Sequence, residues 1–252
     1  MDEKLDPQED TLIQRKLKEQ GNLPRHIAII MDGDRRWAVE HNLPITEGHP
    51  CARESVRDVV RACGELGIQV LTLYSFSTEN WSRPRTEVQS LMQLLRETLR
   101  SEVPELNNNN VRLNAIGRLD GLPESVRTAL MRSLEDTAGN TGLVLNLALN
   151  YGGRSELVDA FKHLVAAVEK GRLRAQDIDE EAISGALYTA GLPDPDLLIR
   201  SSGEMRLSNF LTWQTVYTEI WVTPVYWPDF RRQHLYEAIR TYQRRHRRFG
   251  GA

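Results

Sequence analysis

The chain has 252 residues, 40% of them hydrophobic and 27% charged. That balance excludes disordered, collagen-like and fibrous classes, and the length suffices for a full core without disulfides or a structural metal. With 35 acids against 32 bases the net charge is −3, so nothing in the overall charge calls for nucleic acid as a partner.

Residues 1–24 are mostly polar, with one short helical patch at Leu12, Ile13 and Leu17, and they read as an arm outside the core of one domain spanning residues 25–248. His26-Ile27-Ala28-Ile29-Ile30-Met31 is a short apolar run of the buried-strand type. Val56, Val59, Val60, Cys63 and Leu66 recur at helical spacing, and Gly67 supplies a stop. Residues 70–74 form a second strand, and Val88, Leu91, Leu95, Leu99, Val103 and Leu106 form one stripe of a long helix. A strand at 111–116, a helix at 124–138, a strand at 143–149 and a helix around Leu157, Phe161, Leu164 and Val168 follow. Short strands at 196–200 and 217–222 and a helix after Pro228 complete the pattern. The segment from Phe210 to Trp227 is the most apolar, but Gln214, Glu219 and Pro224 make it core and not a membrane span.

Alternating strands and helices predict a single α/β domain with a mostly parallel central sheet of about six strands flanked by helices. In such sheets ligands bind beyond the carboxyl ends of the strands. After the first strand stands Asp32-Gly33-Asp34-Arg35-Arg36-Trp37, opening a helix. Free N–H groups at a helix start bind phosphate, and a carboxylate beside them can hold Mg²⁺ bridged to phosphate oxygens. A simple aspartate cap with two surface arginines fits the same spacing. Gly48-His49 lies downstream, and its value depends on reaching the same pocket. After the second strand comes Ser77-Thr78-Glu79-Asn80-Trp81-Ser82-Arg83-Pro84, dense in hydrogen-bonding groups. After the strand at 196–200, Arg200, Arg206 and Ser208 are spaced to converge on one phosphate. Glu219, an acid within an apolar run, needs a metal or an arginine as partner. Two arginine groups and two acids, without a Ser-His-Asp pattern, a Walker loop or a Cys/His cluster, point to two phosphorylated ligands and Mg²⁺.

The segments His26–Gly33, Gly48-His49, Leu71–Trp81, Asn150-Tyr151-Gly152-Gly153-Arg154 and Asp194–Arg200 through Trp227-Pro228-Asp229-Phe230 resemble the cis-prenyltransferases, the family of undecaprenyl and decaprenyl diphosphate synthases. The likeness runs in order from about residue 25 to 248, and the Asp-Asp-x-x-Asp motif of trans-prenyl synthases is absent. It implies condensation of isopentenyl diphosphate with an allylic diphosphate, such as farnesyl or geranyl diphosphate, releasing pyrophosphate and making cis double bonds. It further implies that Asp32 and Glu219 bind Mg²⁺, and that Asp32, Asn80 and Arg83 are catalytic. The backbone from Gly33 to Arg36, the Arg36 side chain and His49 would hold the allylic diphosphate. Arg200, Arg206 and Ser208 would hold isopentenyl diphosphate, with Asp34, Arg35, Trp37, Ser77, Glu79 and Trp81 completing the substrate sites. An apolar tunnel walled by Leu91, Leu95, Leu99 and Leu143 would take the growing chain. Asp34 stands where most members carry Asn, and Ile45 where an arginine is expected.

A homodimer through the Phe210–Trp227 region is the expected assembly. The expected setting is cytoplasmic, with peripheral membrane contact through the lipid product. Cys51 and Cys63 form no disulfide framework, which agrees with a reducing compartment. The polar start, Met1-Asp2-Glu3-Lys4, is unlike a signal peptide. Two other readings remain at this point. A haloacid-dehalogenase-like phosphatase would use Asp32 and Asp34, and hydrolysis without consumption of isopentenyl diphosphate would mark it. A non-catalytic partner subunit of a cis-prenyltransferase would lack turnover altogether.

Overall fold

The computed structural model describes residues 5–45 and 48–245. Six strands form one sheet in the order β3-β4-β2-β1-β5-β6, every neighbouring pair parallel. They are β1 (His26–Ile30), β2 (Val70–Ser77), β3 (Arg112–Ile116), β4 (Val144–Tyr151), β5 (Leu197–Arg200) and β6 (Glu219–Val222). The helices are α1 (Pro7–Gln20), α2 (Asp34–Glu40), α3 (Gly48–Leu66), α4 (Arg85–Asn108), α5 (Glu124–Asp136), α6 (Gly153–Glu169), α7 (Glu180–Ala186) and α8 (Arg232–Arg244). The predicted α/β sheet is therefore present, with six strands and helices on its faces.

Successive side chains of a strand point to opposite faces, and the core divides accordingly. Ile27, Ile29, Leu71, Leu73 and Leu113 join one large cluster with residues of α3, α4, α5 and α8. Ala28, Ile30, Ala148 and Leu198 join a smaller cluster capped by Phe210 and Leu211. The central strand β1 is buried along its whole length, which explains its unbroken apolar run. A polar ladder crosses four strands inside this core. Asn114 donates to Asn146 (3.0 Å), Asn146 donates to Thr72 (3.0 Å), and the Thr72 hydroxyl lies 2.7 Å from His26 Nε2. Burial lowers the His26 imidazole to about 4, against smaller upward effects of the Pro193 carbonyl and Asp196.

The amino-terminal segment differs from its expectation. It is not an arm outside the core: α1 packs on α8 and α3, and Leu17 is fully buried. The reason is a polar clasp that spacing does not reveal. Arg232 bonds Asp10 (2.5 Å) and Asp58 (2.6 Å), the Tyr236 hydroxyl donates to Asp10 (2.7 Å), and Gln243 donates to the Leu17 carbonyl (2.9 Å).

Candidate active site

The carboxyl ends of β1, β2, β4 and β5 meet at one edge of the sheet, and the candidate residues lie in the loops beyond them. Asp32 follows β1. Its N–H donates to Ser201 Oγ (2.8 Å), and the Ser201 hydroxyl donates back to the Asp32 carbonyl (2.7 Å). The Trp227 N–H donates to the same carbonyl (3.0 Å). The loop is thus fixed to β5 and to the Trp227 turn, leaving the carboxylate about 30% exposed. Arg200, at the end of β5, bonds Asp32 Oδ2 at 2.8 Å, and Arg36 approaches Oδ1 at 3.4 Å.

Gly33 has φ +110°, and a Cβ there would meet the Tyr226 ring at 2.7 Å, so only glycine fits. It caps α2 without any side-chain hydrogen bond. Arg36 lies over the Tyr226 ring at 5.6 Å, donates to the Ser202 carbonyl (3.2 Å) and hydroxyl, and faces Glu204 at 3.6 Å. Arg200 is buried; it also donates to Ser208 Oγ (2.8 Å) and to the Arg206 carbonyl. The Arg206 side chain reaches outward and pairs with Glu204 at 2.5 Å. Asp32, Arg36, Arg200 and Ser208 are therefore brought together, whereas Arg206, spaced to converge with Arg200 and Ser208, contributes only its carbonyl to Arg200 and turns its side chain to Glu204. The segment is held in unusual backbone: Ser202, Ser208, Asn209 and Leu211 all have positive φ, the kind of conformation that concentrates at functional sites.

The loop after β2 meets this segment. Ser77 and Asn80 cap each other, the Ser77 N–H donating to Asn80 Oδ1 at 3.0 Å. Asn209 donates to Glu79 (2.8 Å) and accepts the Arg154 N–H (2.9 Å). Burial alone would raise the Glu79 carboxyl. Its hydrogen bonds, led by Asn209, outweigh that and set it below the usual carboxylate range. Trp81 donates to Asn150 (2.7 Å) and stands edge-on to Phe76. Arg83 bonds Glu87 at 3.0 Å, and Arg35 faces the same buried carboxylate at 4.0 Å.

Behind the site lies an apolar cavity of about 280 Å³ between the sheet, α3 and α4. Met31, Asp34, Asn80 and Arg83 line it together with Leu91, Leu95 and Leu99; Leu143 lies in the core beside it and not on its wall. A register shift against β4 between Tyr74 and Phe76 adds one residue to β2, and Ser75 lines the cavity at that point.

Several expected members lie elsewhere. Trp37 donates its indole N–H to Asp229 (2.8 Å) and stacks on His41, so it ties α2 to the Trp227–Asp229 turn. Glu219 is level with Leu197 at the amino end of the β5–β6 pair, whereas Arg200 is level with Val222. Within one chain it therefore sits at the opposite end of the sheet from Asp32, where Arg245 pairs with it. The His49 side chain lies outside the described residues. Ile45 is surface-exposed. Sequence reasoning missed Ser201, Ser202, Glu204, Asn209 and Tyr226, which bond or pack against Asp32, Arg36 and Glu79 in the candidate segments. Their signal is a small or polar residue at a loop position, which any surface loop shares.

Among the described residues no group of three or more His, Cys, Asp or Glu could hold a metal by itself. The partly exposed Asp32 carboxylate, beside the candidate phosphate donors Arg36 and Arg200, suits Mg²⁺, which is commonly held by one or two carboxylates plus substrate phosphates and water.

Residues 30–250 match the undecaprenyl diphosphate synthase family. An isoprenyl transferase of Clostridium tetani is 52% identical over 230 residues, covering 91% of this chain and 90% of the relative. One of Geobacillus kaustophilus is 54% identical over 229 residues, covering 91% and 89%. Among solved structures, lavandulyl diphosphate synthase from Lavandula x intermedia, in complex with dimethylallyl diphosphate, superposes with a TM-score of 0.89 at 39% identity, covering 91% of this chain and 99% of that one. A probable undecaprenyl diphosphate synthase from Campylobacter jejuni superposes with a TM-score of 0.76 at 33% identity, covering 92% and 100%.

Proposed function

The chain belongs to the undecaprenyl diphosphate synthase family of prenyltransferases, and we propose how its residues divide the work of cis-prenyl chain elongation. In each addition the allylic carbon–oxygen bond breaks, a carbon–carbon bond to isopentenyl diphosphate forms, and pyrophosphate and a proton leave. The observation that carries the reading is the placement of Asp32 between Arg200 and Arg36 beside the mouth of an apolar cavity lined by its neighbours Met31 and Asp34.

Departure of pyrophosphate concentrates negative charge on the leaving oxygens, and preorganised donors stabilise it without reorganising. The open amides at the start of α2 and the Arg36 guanidinium serve the allylic diphosphate. Arg200, Arg206 and Ser208 serve isopentenyl diphosphate. Asp32, helped by the substrate phosphates, is the residue that would hold Mg²⁺, and the ion supplies further charge neutralisation when bound. Asn80 and Arg83 stand at the cavity mouth, where the two substrates would meet. The cavity takes the growing chain and keeps water from the reacting carbon. Glu219 enters this assignment only where a second copy of the chain brings it to another copy's site.

The phosphatase reading of Asp32 and Asp34 falls with the family assignment. A homodimer remains the proposed assembly, supported by the exposed Val216 (70%), Tyr217 (68%) and Ile220 (40%). No helix among the described residues is long and apolar enough to cross a membrane.

Incubation with radiolabelled isopentenyl diphosphate, geranyl or farnesyl diphosphate and Mg²⁺ tests the function. Label moving into a butanol-extractable polyprenyl diphosphate is the expected result. Release of phosphate with no incorporated label would overturn it.

A further inference from the structure

The wall of the apolar tunnel carries a polar seam along one side. On α4, Leu91, Leu95, Leu99 and Leu106 line the cavity, and so do Thr98, Glu102, Glu105 and Asn109. Steps of three and four residues put those polar side chains on one stripe of the helix. On α3, Arg53, Arg57 and Arg61 line the cavity at four-residue steps, and the two stripes meet. Arg57 grips the Glu102 carboxylate with two bonds, Nε to Oε2 at 2.8 Å and Nη2 to Oε1 at 2.6 Å. Arg61 Nε donates to Glu105 Oε1 at 2.6 Å. Forked arginine–carboxylate pairs are the strong, geometrically fixed kind. Burial alone would raise the Glu102 carboxyl, but Arg57 and the nearby charge of Arg53 outweigh it and set the group below the usual carboxylate range. The Arg57 and Arg61 side chains are partly exposed, 32% and 43%, so the seam lies where the cavity meets solvent.

The two helices so joined are held by different neighbours. α3 packs on α1, α2 and α8, whereas α4 packs on α5 and β3, and the cavity occupies the space between them. Pro104 stands inside α4 between the two acids. Proline has no N–H to give the preceding turn, so the end of α4 depends more on side-chain ties for its position. We propose that the Arg57–Glu102 pair, seconded by Arg61–Glu105, closes the side of the tunnel between α3 and α4 and so limits the length of the polyprenyl product. This specificity role rests on the chain-elongation reading. Hydrocarbon pushing between the helices has to part a partly buried ion pair and lie against the separated charges, which is unfavourable. With the seam intact the chain is confined beneath it. With the seam removed the chain passes out between the helices and continues to grow.

The test is the length distribution of labelled product from farnesyl diphosphate and isopentenyl diphosphate, resolved by reversed-phase chromatography. Arg57→Ala/Glu102→Ala removes both partners, so neither charge is left unpaired by the loss of the other. Its products should shift to greater length by one or more isoprene units, with the KM for isopentenyl diphosphate as in the unaltered protein, because the diphosphate sites lie at the other end of α3 and α4. Arg57→Lys keeps the charge and should keep the unaltered lengths, or lie between the two. Where the double variant fails to fold, Arg61→Ala/Glu105→Ala, at the more exposed pair, should give a shift in the same direction. Unaltered or shorter products from a folded double variant would overturn the proposal. So would a variant with a lower urea midpoint and a lower rate but the same lengths, because the pair would then be structural only. Failure of the elongation reading is distinguishable: the unaltered protein would then incorporate no label at all.

Discussion

At the residue scale the proposed reaction rests on Asp32, whose carboxylate bonds Arg200 and faces Arg36. Asp32→Asn keeps the shape and a hydrogen-bond acceptor but removes the charge. Label incorporation should fall at least about a hundredfold, with the circular dichroism spectrum unchanged; near-normal turnover would contradict the assigned role. His26 offers a stability test instead. Burial holds its folded-state value at about 4, below its ordinary 6.5. Below about pH 6.5 the unfolded chain takes up a proton that the folded chain refuses. The stability this residue contributes is thus full above pH 6.5 and is lost as pH falls toward 4, by roughly 3 kcal/mol. Urea midpoints measured between pH 7 and pH 4 should fall less steeply for His26→Gln than for the unaltered protein. Equal slopes would show that His26 does not titrate as described.

At the scale of elements, the segment after β5 closes on the end of β4 because Gly152, against Asn209, and Gly153, against Thr212, make room for it. A Cβ on Gly153 would meet Thr212 Cβ at 2.9 Å and its backbone nitrogen at 3.0 Å. Gly153→Ala should displace the segment that carries Arg206 and Ser208. The KM for isopentenyl diphosphate should then rise at least about tenfold, more than kcat falls; an unchanged KM would contradict the assignment. Ser75 lines the tunnel, so Ser75→Phe should shorten the product seen on reversed-phase chromatography, and unaltered lengths would place the chain elsewhere. The strands were legible because β1, β2 and β4 are apolar runs buried in a parallel sheet. Asp32, Arg36, Arg200 and Ser208 were legible because strand ends and short spacings bring them together. What was not legible depends on partners far away in sequence. The docking of α1 rests on Asp10 with Arg232 and Tyr236. The position of Glu219 at the amino end of β6 depends on pairing register, which a four-residue strand does not announce.

On the scale of the whole molecule, the sheet gathers its chemistry at one edge and leaves Val216, Tyr217 and Ile220 exposed near the other end of β6. Apolar groups so clustered favour burial in an interface. Sedimentation velocity should show a dimer, and Val216→Asp should shift it toward monomer; a monomeric unaltered protein would remove the assembly proposal. The central claim is that Gly33–Arg36 and the Arg200–Ser208 segment hold two diphosphates around Asp32. A crystal structure with farnesyl thiodiphosphate, isopentenyl diphosphate and Mg²⁺ tests it most directly. The account predicts one diphosphate at the start of α2 with Arg36, the other on Arg200, Arg206 and Ser208, and the farnesyl chain in the tunnel. Both diphosphates bound away from Asp32, with these arginines still paired only to protein carboxylates, would contradict it.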